Sequence, residues 1–244
     1  MFAIFKREIQ SFFTSPIGYL VIGLFLVLSG LFLWVFKGPF NIFDYGFADL
    51  GNFFLLAPWV FLFLIPAITM KSFSEERKLG TLELLFIKPI GIWQTVLGKY
   101  LGTFALALIA LLPTLLYVHS VSQLGTTVGN LDMGLVIGSY FGLLFLIGCY
   151  TAIGLFASTL SDNQIVAFIL GIAICFSAFY GFEALSTLFS EGSAALFVLQ
   201  LGMKAHSEGL ARGVLDTRDL VYFTGLTIFF LFLTVVQLKN TDRS

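Results

Sequence analysis

The sequence predicts an all-α integral membrane protein with six spanning helices. The chain is 58% hydrophobic and only 11% charged, whereas about a quarter of the residues of a soluble protein are charged. Its apolar residues are gathered into long uncharged runs, and about 20 residues of helix, ~30 Å, cross the hydrocarbon core of a bilayer. The net charge of -1 and the lack of an extended basic run give no indication of nucleic-acid binding.

Residues 1–14 have the pattern of an amphipathic helix that lies in the membrane surface. The apolar residues of this segment fall on one helical face: Phe2, Phe5, Ile9 and Phe12. Ser15 and Pro16 then turn the chain into the first apolar run. That run is longer than the 7–15 residues of a signal-peptide core and has no small-residue cleavage site, so we interpret it as a retained span.

Six apolar runs are predicted to span the membrane: residues 17–36, 53–70, 93–118, 133–160, 164–182 and 221–238. Lys99, near the start of the third run, is expected to extend its ammonium group to the membrane surface. Pro58 and Pro66 in the second run are expected to kink it, and Pro66 is also a candidate hinge. The short turn at residues 161–163 makes the fourth and fifth spans antiparallel neighbours.

Glycines recur at every fourth residue near the start of the fourth run, at Gly134, Gly138 and Gly142. Such spacing gives a helix one smooth face that another helix can approach closely. We interpret it as a packing face whose partner the sequence does not identify.

The distribution of Lys and Arg predicts the orientation, because cytoplasmic loops are enriched in these residues. An N-terminus in the cytoplasm leaves four of the 13 basic residues outside. The other nine lie on the cytoplasmic side: Lys6, Arg7, Lys71, Arg77, Lys78, Lys88, Lys99, Lys239 and Arg243. Both termini are therefore predicted to be cytoplasmic.

The segment 70–90, between the second and third spans, carries seven of the 27 charged residues. Charges are costly in the hydrocarbon core, so we predict a loop at the cytoplasmic face. Leu79, Leu82 and Leu85 or Phe86 recur at helical spacing, which predicts a short amphipathic helix that starts near Gly80 and Thr81 and is stopped by Pro89. Such a helix either lies on the headgroups or inserts into a groove of a soluble partner.

The residue string of this segment resembles that of ABC-2 type transporter permeases, namely Glu75-Glu76-Arg77-Lys78, Gly80-Thr81-Leu82-Glu83-Leu84-Leu85 and Lys88-Pro89-Ile90. The resemblance implies a coupling helix that docks into a separate ATP-hydrolysing subunit. The implied coupling residues are Glu75, Glu76, Arg77, Gly80, Thr81, Leu82, Glu83, Leu84 and Leu85. For the three charged residues two interpretations stay open: a solvated face, or an ion-pair latch to the N-terminal helix or the ATPase.

A second patch precedes the sixth span and contains His206, Arg212, Gly213, Asp216 and Asp219. It resembles the subgroup of the family that contains the gliding-motility-associated permease. The resemblance implies an ordered extracytoplasmic or re-entrant helical element between the fifth and sixth spans. His206 is expected to have a structural role there, although a solvated loop histidine is the commoner case.

The resemblance implies a non-catalytic permease subunit in a bacterial inner membrane, with export or mechanical work as its output. It implies an ABC ATPase that holds ATP and Mg, a second permease chain in a homodimer or heterodimer, and a large extracytoplasmic partner. This chain itself is expected to hold no cofactor and no metal. Mechanical transmission without substrate passage is one alternative, and a small channel or secondary transporter is another.

The residues themselves disfavour several other functions. Gly98-Lys99 lacks the remaining residues of a phosphate-binding loop, and the two histidines, His119 and His206, do not form a zinc motif. The spans lack the acidic residues and histidines on which ion-coupled transporters rely. Cys149 and Cys175 fall in separate apolar runs and are interpreted as small packing residues.

Overall fold

The structure, a computed structural model, describes residues 1–47, 49–82, 91–125, 131–189, 192–214 and 216–243. Within these ranges the regular structure is helical and contains no strand, which confirms the predicted all-α class. Six helices are long and apolar enough to cross a membrane, and they are called spans 1 to 6: Gly18–Val35, Gly51–Lys78, Ile92–Leu124, Met133–Thr159, Gln164–Ser186 and Thr217–Thr241.

The first part of the chain forms the surface helix and the first two spans. Its helices are α1 (Phe2–Phe13), α2 (Pro16–Gly30), α3 (Ile42–Tyr45), α4 (Gly51–Thr69) and α5 (Lys71–Lys78). A π-helical turn, Leu31–Val35, extends α2 to complete span 1. The Asn41 side chain caps α3, since its Oδ1 accepts hydrogen bonds from the N–H groups of Phe43 and Asp44.

The rest of the chain forms the other four spans and the helices that precede span 6. They are α6 (Ile92–Leu111), α7 (Leu115–Leu124), α8 (Met133–Thr159), α9 (Gln164–Phe176), α10 (Phe182–Ser186), α11 (Ser193–Gln200), α12 (Met203–Ala211) and α13 (Thr217–Arg243). A 3-10 turn at Leu112–Thr114 joins α6 to α7, and a π-helical turn at Ser177–Gly181 joins α9 to α10.

Spans 4 and 2 form the centre of the bundle. In the most apolar stretch of each span, 78% of the residues of span 4 and 67% of those of span 2 are buried inside the protein, against 22% of those of spans 5 and 6. The two central helices approach closely, because a Cβ atom on Gly154 would lie only 2.1 Å from Thr69 Oγ1. Cys149 and Cys175 are both buried and free within this core.

Two of the regularly spaced glycines in span 4, Gly138 and Gly142, contact the segment that precedes span 6. A Cβ on Gly138 would lie 2.5 Å from the carbonyl oxygen of Gly213, and one on Gly142 would lie 2.5 Å from Leu210 Cβ. Gly213 itself has φ +75 and rests against Leu135. The glycine face of span 4 therefore packs against the end of α12.

The structure corrects the predicted loop after span 2. Residues Lys71–Lys78 form α5, and Met70 between α4 and α5 is also right-handed helical, so span 2 continues as helix through the charged residues. Glu, Arg and Lys are good helix formers, which explains why the helix does not stop where the apolar residues end. The amphipathic helix predicted to start near Gly80 is described only as far as Leu82, and its remainder lies outside the described residues.

Candidate coupling site

Span 4 connects two polar regions at opposite ends of the bundle. Its 27 residues make a helix of about 40 Å. At its last residue, the Thr159 carbonyl oxygen accepts a hydrogen bond from Arg77 Nη1 at 3.0 Å. Near its start, Ser139 Oγ donates to the Ala211 carbonyl oxygen at 3.1 Å. The two regions are called the Glu76 end and the His206 end.

Helix α5 ends at the Glu76 end in a glycine turn. Gly80 has φ +66, and its N–H donates to the Arg77 carbonyl oxygen at 3.1 Å. The N–H of Thr81 donates to the Glu76 carbonyl oxygen at 2.9 Å. Together these bonds form a Schellman motif, so Gly80 ends α5 and sets the direction in which the chain leaves it.

Four charged side chains meet next to this turn, and they are called the charge cluster: Arg7, Glu8, Glu76 and Lys99. Lys99 Nζ lies 2.8 Å from Glu8 Oε1 and 3.0 Å from Glu76 Oε1. Arg7 Nη2 lies 3.3 Å from the same Glu76 oxygen. The cluster is neutral, with two positive and two negative charges, and it joins α1, α5 and α6.

Lys99 does not extend to the membrane surface as its position in span 3 predicted. It is 2% exposed, and it donates hydrogen bonds to Glu8 Oε1 at 2.8 Å and to the Ser72 carbonyl oxygen at 2.5 Å. The Glu76 carboxylate, 3.0 Å from Nζ, is its third oxygen neighbour and pairs with the charge. The ring of Phe73, 4.9 Å from Nζ, covers the group further. This complete set of partners is the reason that the charge is buried.

Two glycines allow α1 to approach span 3 closely enough to form the cluster. A Cβ on Gly98 would lie 3.0 Å from Ile4 Cβ, and one on Gly102 would lie 2.7 Å from Glu8 Cβ. Gly98 and Gly102 are one helical turn apart and flank Lys99, so they share one face of α6. Gly98-Lys99 thus belongs to a helix contact, not to a phosphate-binding loop.

The coupling residues implied by the resemblance lie in different surroundings. Glu76 is buried in the charge cluster, whereas Glu75 is half-buried and makes no ion pair within the described residues. Arg77 donates a hydrogen bond to the Thr159 carbonyl oxygen at the end of span 4. Leu82 is buried beside Phe73 and Val96. Three of the implied residues lie outside the described residues: Glu83, Leu84 and Leu85.

A polar cavity of about 190 Å³ lies against the charge cluster. Besides the cluster itself, it is lined by Lys71, Glu75, Leu79 and Thr81. Its size and polar lining suit several water molecules. Leu79, at 67% exposed, lies at the surface, whereas Leu82 is buried, and the remaining positions of the predicted spacing, Leu85 and Phe86, lie outside the described residues.

At the His206 end, His206 joins α12 to the start of span 6. Its Nδ1 lies 2.6 Å from Asp219 Oδ1, and its Nε2 lies 2.8 Å from the Gln200 carbonyl oxygen. The ring stacks on Tyr222 with centroids 4.1 Å apart, and the Tyr222 hydroxyl donates to the Leu201 carbonyl oxygen at 2.7 Å. These contacts are those of an ordered helical segment.

The other members of this patch are not gathered around His206. Arg212 is exposed and lies 4.0 Å from Glu208. Gly213 fits the close contact with span 4. Asp216 caps α13, where its Oδ1 accepts a hydrogen bond from the Arg218 N–H at 2.8 Å. Within the described residues no group of three or more His, Cys, Asp or Glu side chains could hold a metal ion.

Of the two interpretations left open for Glu76, the structure shows the ion pair with the N-terminal helix, but the sequence did not identify Arg7 as the partner of Glu76 or Glu8 as that of Lys99. Glu8 and Lys99 are 91 positions apart, and hydropathy assigns Glu8 only to the polar face of a surface helix. A usable signal was present in the flanking glycines, because Gly98 and Gly102 mark the face of α6 on which Lys99 lies.

The sequence was also compared with known proteins. Residues 41–199 match the family described as "ABC-2 family transporter protein". No curated protein matches the chain. The family match covers spans 2 to 5 and all but the last residue of α11, and it includes α5 and Lys99.

Proposed function

Since this chain belongs to the ABC-2 family of transporter proteins, and is thus the membrane permease subunit of an ABC transporter, we propose that it receives the work of ATP hydrolysis at the Glu76 end. The ATP and Mg would be held by a separate ATPase chain. The contact surface would be the end of α5 and the residues that follow it. A second permease chain would complete the membrane unit.

The observation that carries this proposal is the charge cluster. A force applied to the end of α5 acts on Glu76, which is bonded to α1 through Arg7 and to span 3 through Lys99. Removing one member of a buried ion network costs about 3–5 kcal/mol, so these three helices move together. Arg77 extends the connection to span 4.

Gly80 offers a direct test of coupling, because its left-handed φ of +66 costs a side chain about 1–2 kcal/mol. We expect Gly80→Val to redirect the chain after α5. The ATPase would still hydrolyse ATP, but its rate would no longer respond to the membrane subunit. The measurement is ATP hydrolysis by the complex purified through a tag on this chain, compared with the isolated ATPase.

Gly91→Val is the matched control for that change. Among the described residues, no atom lies within 4 Å of a Cβ added to Gly80 or to Gly91, and Gly91 has the ordinary φ of -62. The two variants therefore differ in backbone conformation and not in crowding. Equal coupling in both variants would contradict a role for the Gly80 turn, and failure of any ATPase to co-purify would contradict the proposed function and favour a channel or secondary transporter.

We also propose that the Glu76 end faces the cytoplasm of a bacterial inner membrane, with both termini on that side. Leu79 and Leu188 are 67% and 79% exposed, and they belong to opposite ends of the bundle. In a background with Cys149→Ser and Cys175→Ser, a membrane-impermeant maleimide added to intact cells is expected to label Leu188→Cys and not Leu79→Cys. Cell lysis is expected to expose both, and the reverse pattern would overturn this orientation.

A second candidate function is ATP-driven mechanical transmission without substrate passage. It is favoured by the neutral interior of the described spans, where Lys99, the one charge well inside a span, is fully paired. The resemblance of the His206 segment to the gliding-motility-associated subgroup supports a motility system with a large extracytoplasmic partner as its context. Transport assays with the purified complex in liposomes would distinguish this function from export.

A further inference from the structure

A second cavity, of about 280 Å³, lies at the His206 end. Residues from four parts of the chain line it: the loop before α3, span 2, the π-helical turn of span 5, and α12. The lining residues used below are Phe40, Phe54, Trp59, Phe179, Lys204 and Glu208. Neither the charge cluster nor the proposed ATPase contact involves this cavity.

Four aromatic side chains line the cavity. The rings of Trp59 and Phe179 meet edge to face at 5.2 Å and 83°. Phe54 and Phe179 are at most 2% exposed, so the bulk of the protein holds both rings in place. Trp59 also contacts Tyr180, with ring centroids 5.9 Å apart. The cavity therefore offers preformed aromatic surface, as small-molecule sites commonly do.

The charges at the rim differ in how fully they are paired. Lys204 Nζ lies 2.6 Å from Glu183 Oε2 and 2.7 Å from its Oε1, and it lies over the ring of Tyr180 at 5.4 Å. Glu208 lies 3.9 Å from Lys204 and 4.0 Å from Arg212, both beyond hydrogen-bond length. Its carboxylate makes no hydrogen bond within the described residues, and its side chain is 45% exposed.

Glu208 is thus the more loosely paired of the two charged groups that line this cavity, since its ion pairs with Lys204 and Arg212 are long while Lys204 is held by Glu183 at hydrogen-bond distance. Aromatic faces attract cations through their negative π-surface, and tryptophan does so most strongly. A carboxylate above an aromatic wall suits a positively charged, partly apolar molecule and repels an anion. The volume of about 280 Å³ is slightly below the ~300–1,000 Å³ of drug-sized sites, so the ligand is small.

We propose that this cavity binds a small organic ammonium ion between Trp59 and Glu208. The ammonium group would lie at the rim beside the Glu208 carboxylate, and its apolar substituents would contact Trp59, Phe40 and Phe179. The same chemistry is offered by a free organic amine and by the amine headgroup of a phospholipid. Binding here goes beyond the proposed function, since it requires no ATPase.

Benzyltrimethylammonium is a suitable probe, with benzenesulfonate as the anion of similar shape. Isothermal titration calorimetry of the full chain in maltoside micelles is expected to show saturable binding of the cation and none of the anion. Trp59→Leu removes the best cation-binding ring, and Glu208→Gln removes the charge at an exposed position that the fold does not need. Each is expected to weaken binding roughly tenfold.

Trp93→Leu and Asp162→Asn serve as matched controls. Trp93 is 43% exposed and Asp162 is exposed, and neither lines the cavity. Both are expected to bind the probe with unchanged affinity. A Trp59→Leu variant that loses thermal stability is set aside in favour of Glu208→Gln, which decides the question alone.

A further titration identifies the source of the ligand. Displacement of the probe by dihexanoylphosphatidylcholine below its micellar concentration would assign the site to lipid headgroups, and a lack of displacement would assign it to free organic cations. Absence of probe binding, preference for benzenesulfonate, or unchanged affinity in Glu208→Gln would each overturn the proposal.

Discussion

Lys99→Met is expected to destabilise the protein by about 3–5 kcal/mol, because it leaves the carboxylates of Glu8 and Glu76 buried beside each other without their shared counterion. Both lie within 3.0 Å of Lys99 Nζ in the wild-type protein. The methionine fills much of the volume of the lysine stem, so the lost charge dominates the effect. The measurement is the thermal unfolding temperature of the purified protein, followed by fluorescence-detected size exclusion.

The design includes a rescue and a control. In the triple variant Glu8→Gln, Glu76→Gln, Lys99→Met the only charge of the cluster that remains is Arg7, whose side chain is 62% exposed, so most of the stability is expected to return. Lys71→Met is the control. Lys71 lines the polar cavity beside the charge cluster and has no ion-pair partner within the described residues, so the substitution is expected to change the unfolding temperature little. A Lys99→Met variant as stable as the wild type would show that the burial of this charge contributes nothing to the fold.

Gly102→Val is expected to have the second-largest effect, because it separates α1 from span 3. An added Cβ would lie 2.7 Å from Glu8 Cβ, and overpacking of this kind costs about 1–3 kcal/mol. The displacement would also lengthen the ion pair between Glu8 and Lys99. Hydrogen–deuterium exchange followed by mass spectrometry is expected to show faster exchange in residues 2–13, while spans 2 and 4 stay protected.

Gly225→Val is the matched control for that substitution. Gly225 lies in span 6, where no atom of the part of the chain that the structure describes lies within 4 Å of an added Cβ, so the same change of residue in a helix is expected to cause no crowding. Its exchange pattern should equal that of the wild type. If Gly102→Val left the exchange of α1 unchanged, the close contact between α1 and span 3 would not be what holds the surface helix.

The spans could be predicted from the sequence because a helix in a membrane needs apolar side chains, and each residue can be recognised as apolar without knowing its neighbours in the fold. Apolar length alone identified all six, and the turn at residues 161–163 correctly joined spans 4 and 5. The prediction of a loop directly after span 2 was wrong for a physical reason. Hydropathy reports where a helix leaves the hydrocarbon, whereas the helix itself continues through Glu75, Glu76 and Arg77 to Lys78 because these residues favour helix.

The charge cluster could not be predicted because its members come from three distant parts of the sequence. Lys99 carries no local sign that distinguishes a lysine at the membrane surface from one with three buried oxygen partners. The difference lies in Glu8 and in the Ser72 carbonyl group, which only the packing of α1 and α5 against α6 brings into reach. The sequence did provide the family resemblance, which pointed to Glu76 and to the N-terminal helix as one possible partner, but it did not identify Arg7, Glu8 and Lys99 as the residues involved.

Span 4 has one further consequence for how movement crosses the membrane. Its last carbonyl group is bonded to Arg77 and its second turn is bonded to Ala211, so hydrogen bonds fix this rigid rod near both of its ends. A rod that is fixed in this way can move as a unit, without lengthening or unwinding. Under the proposed function, a tilt of its axis would displace both contacts together, so that a movement at one face of the bilayer would also move the contact at the other.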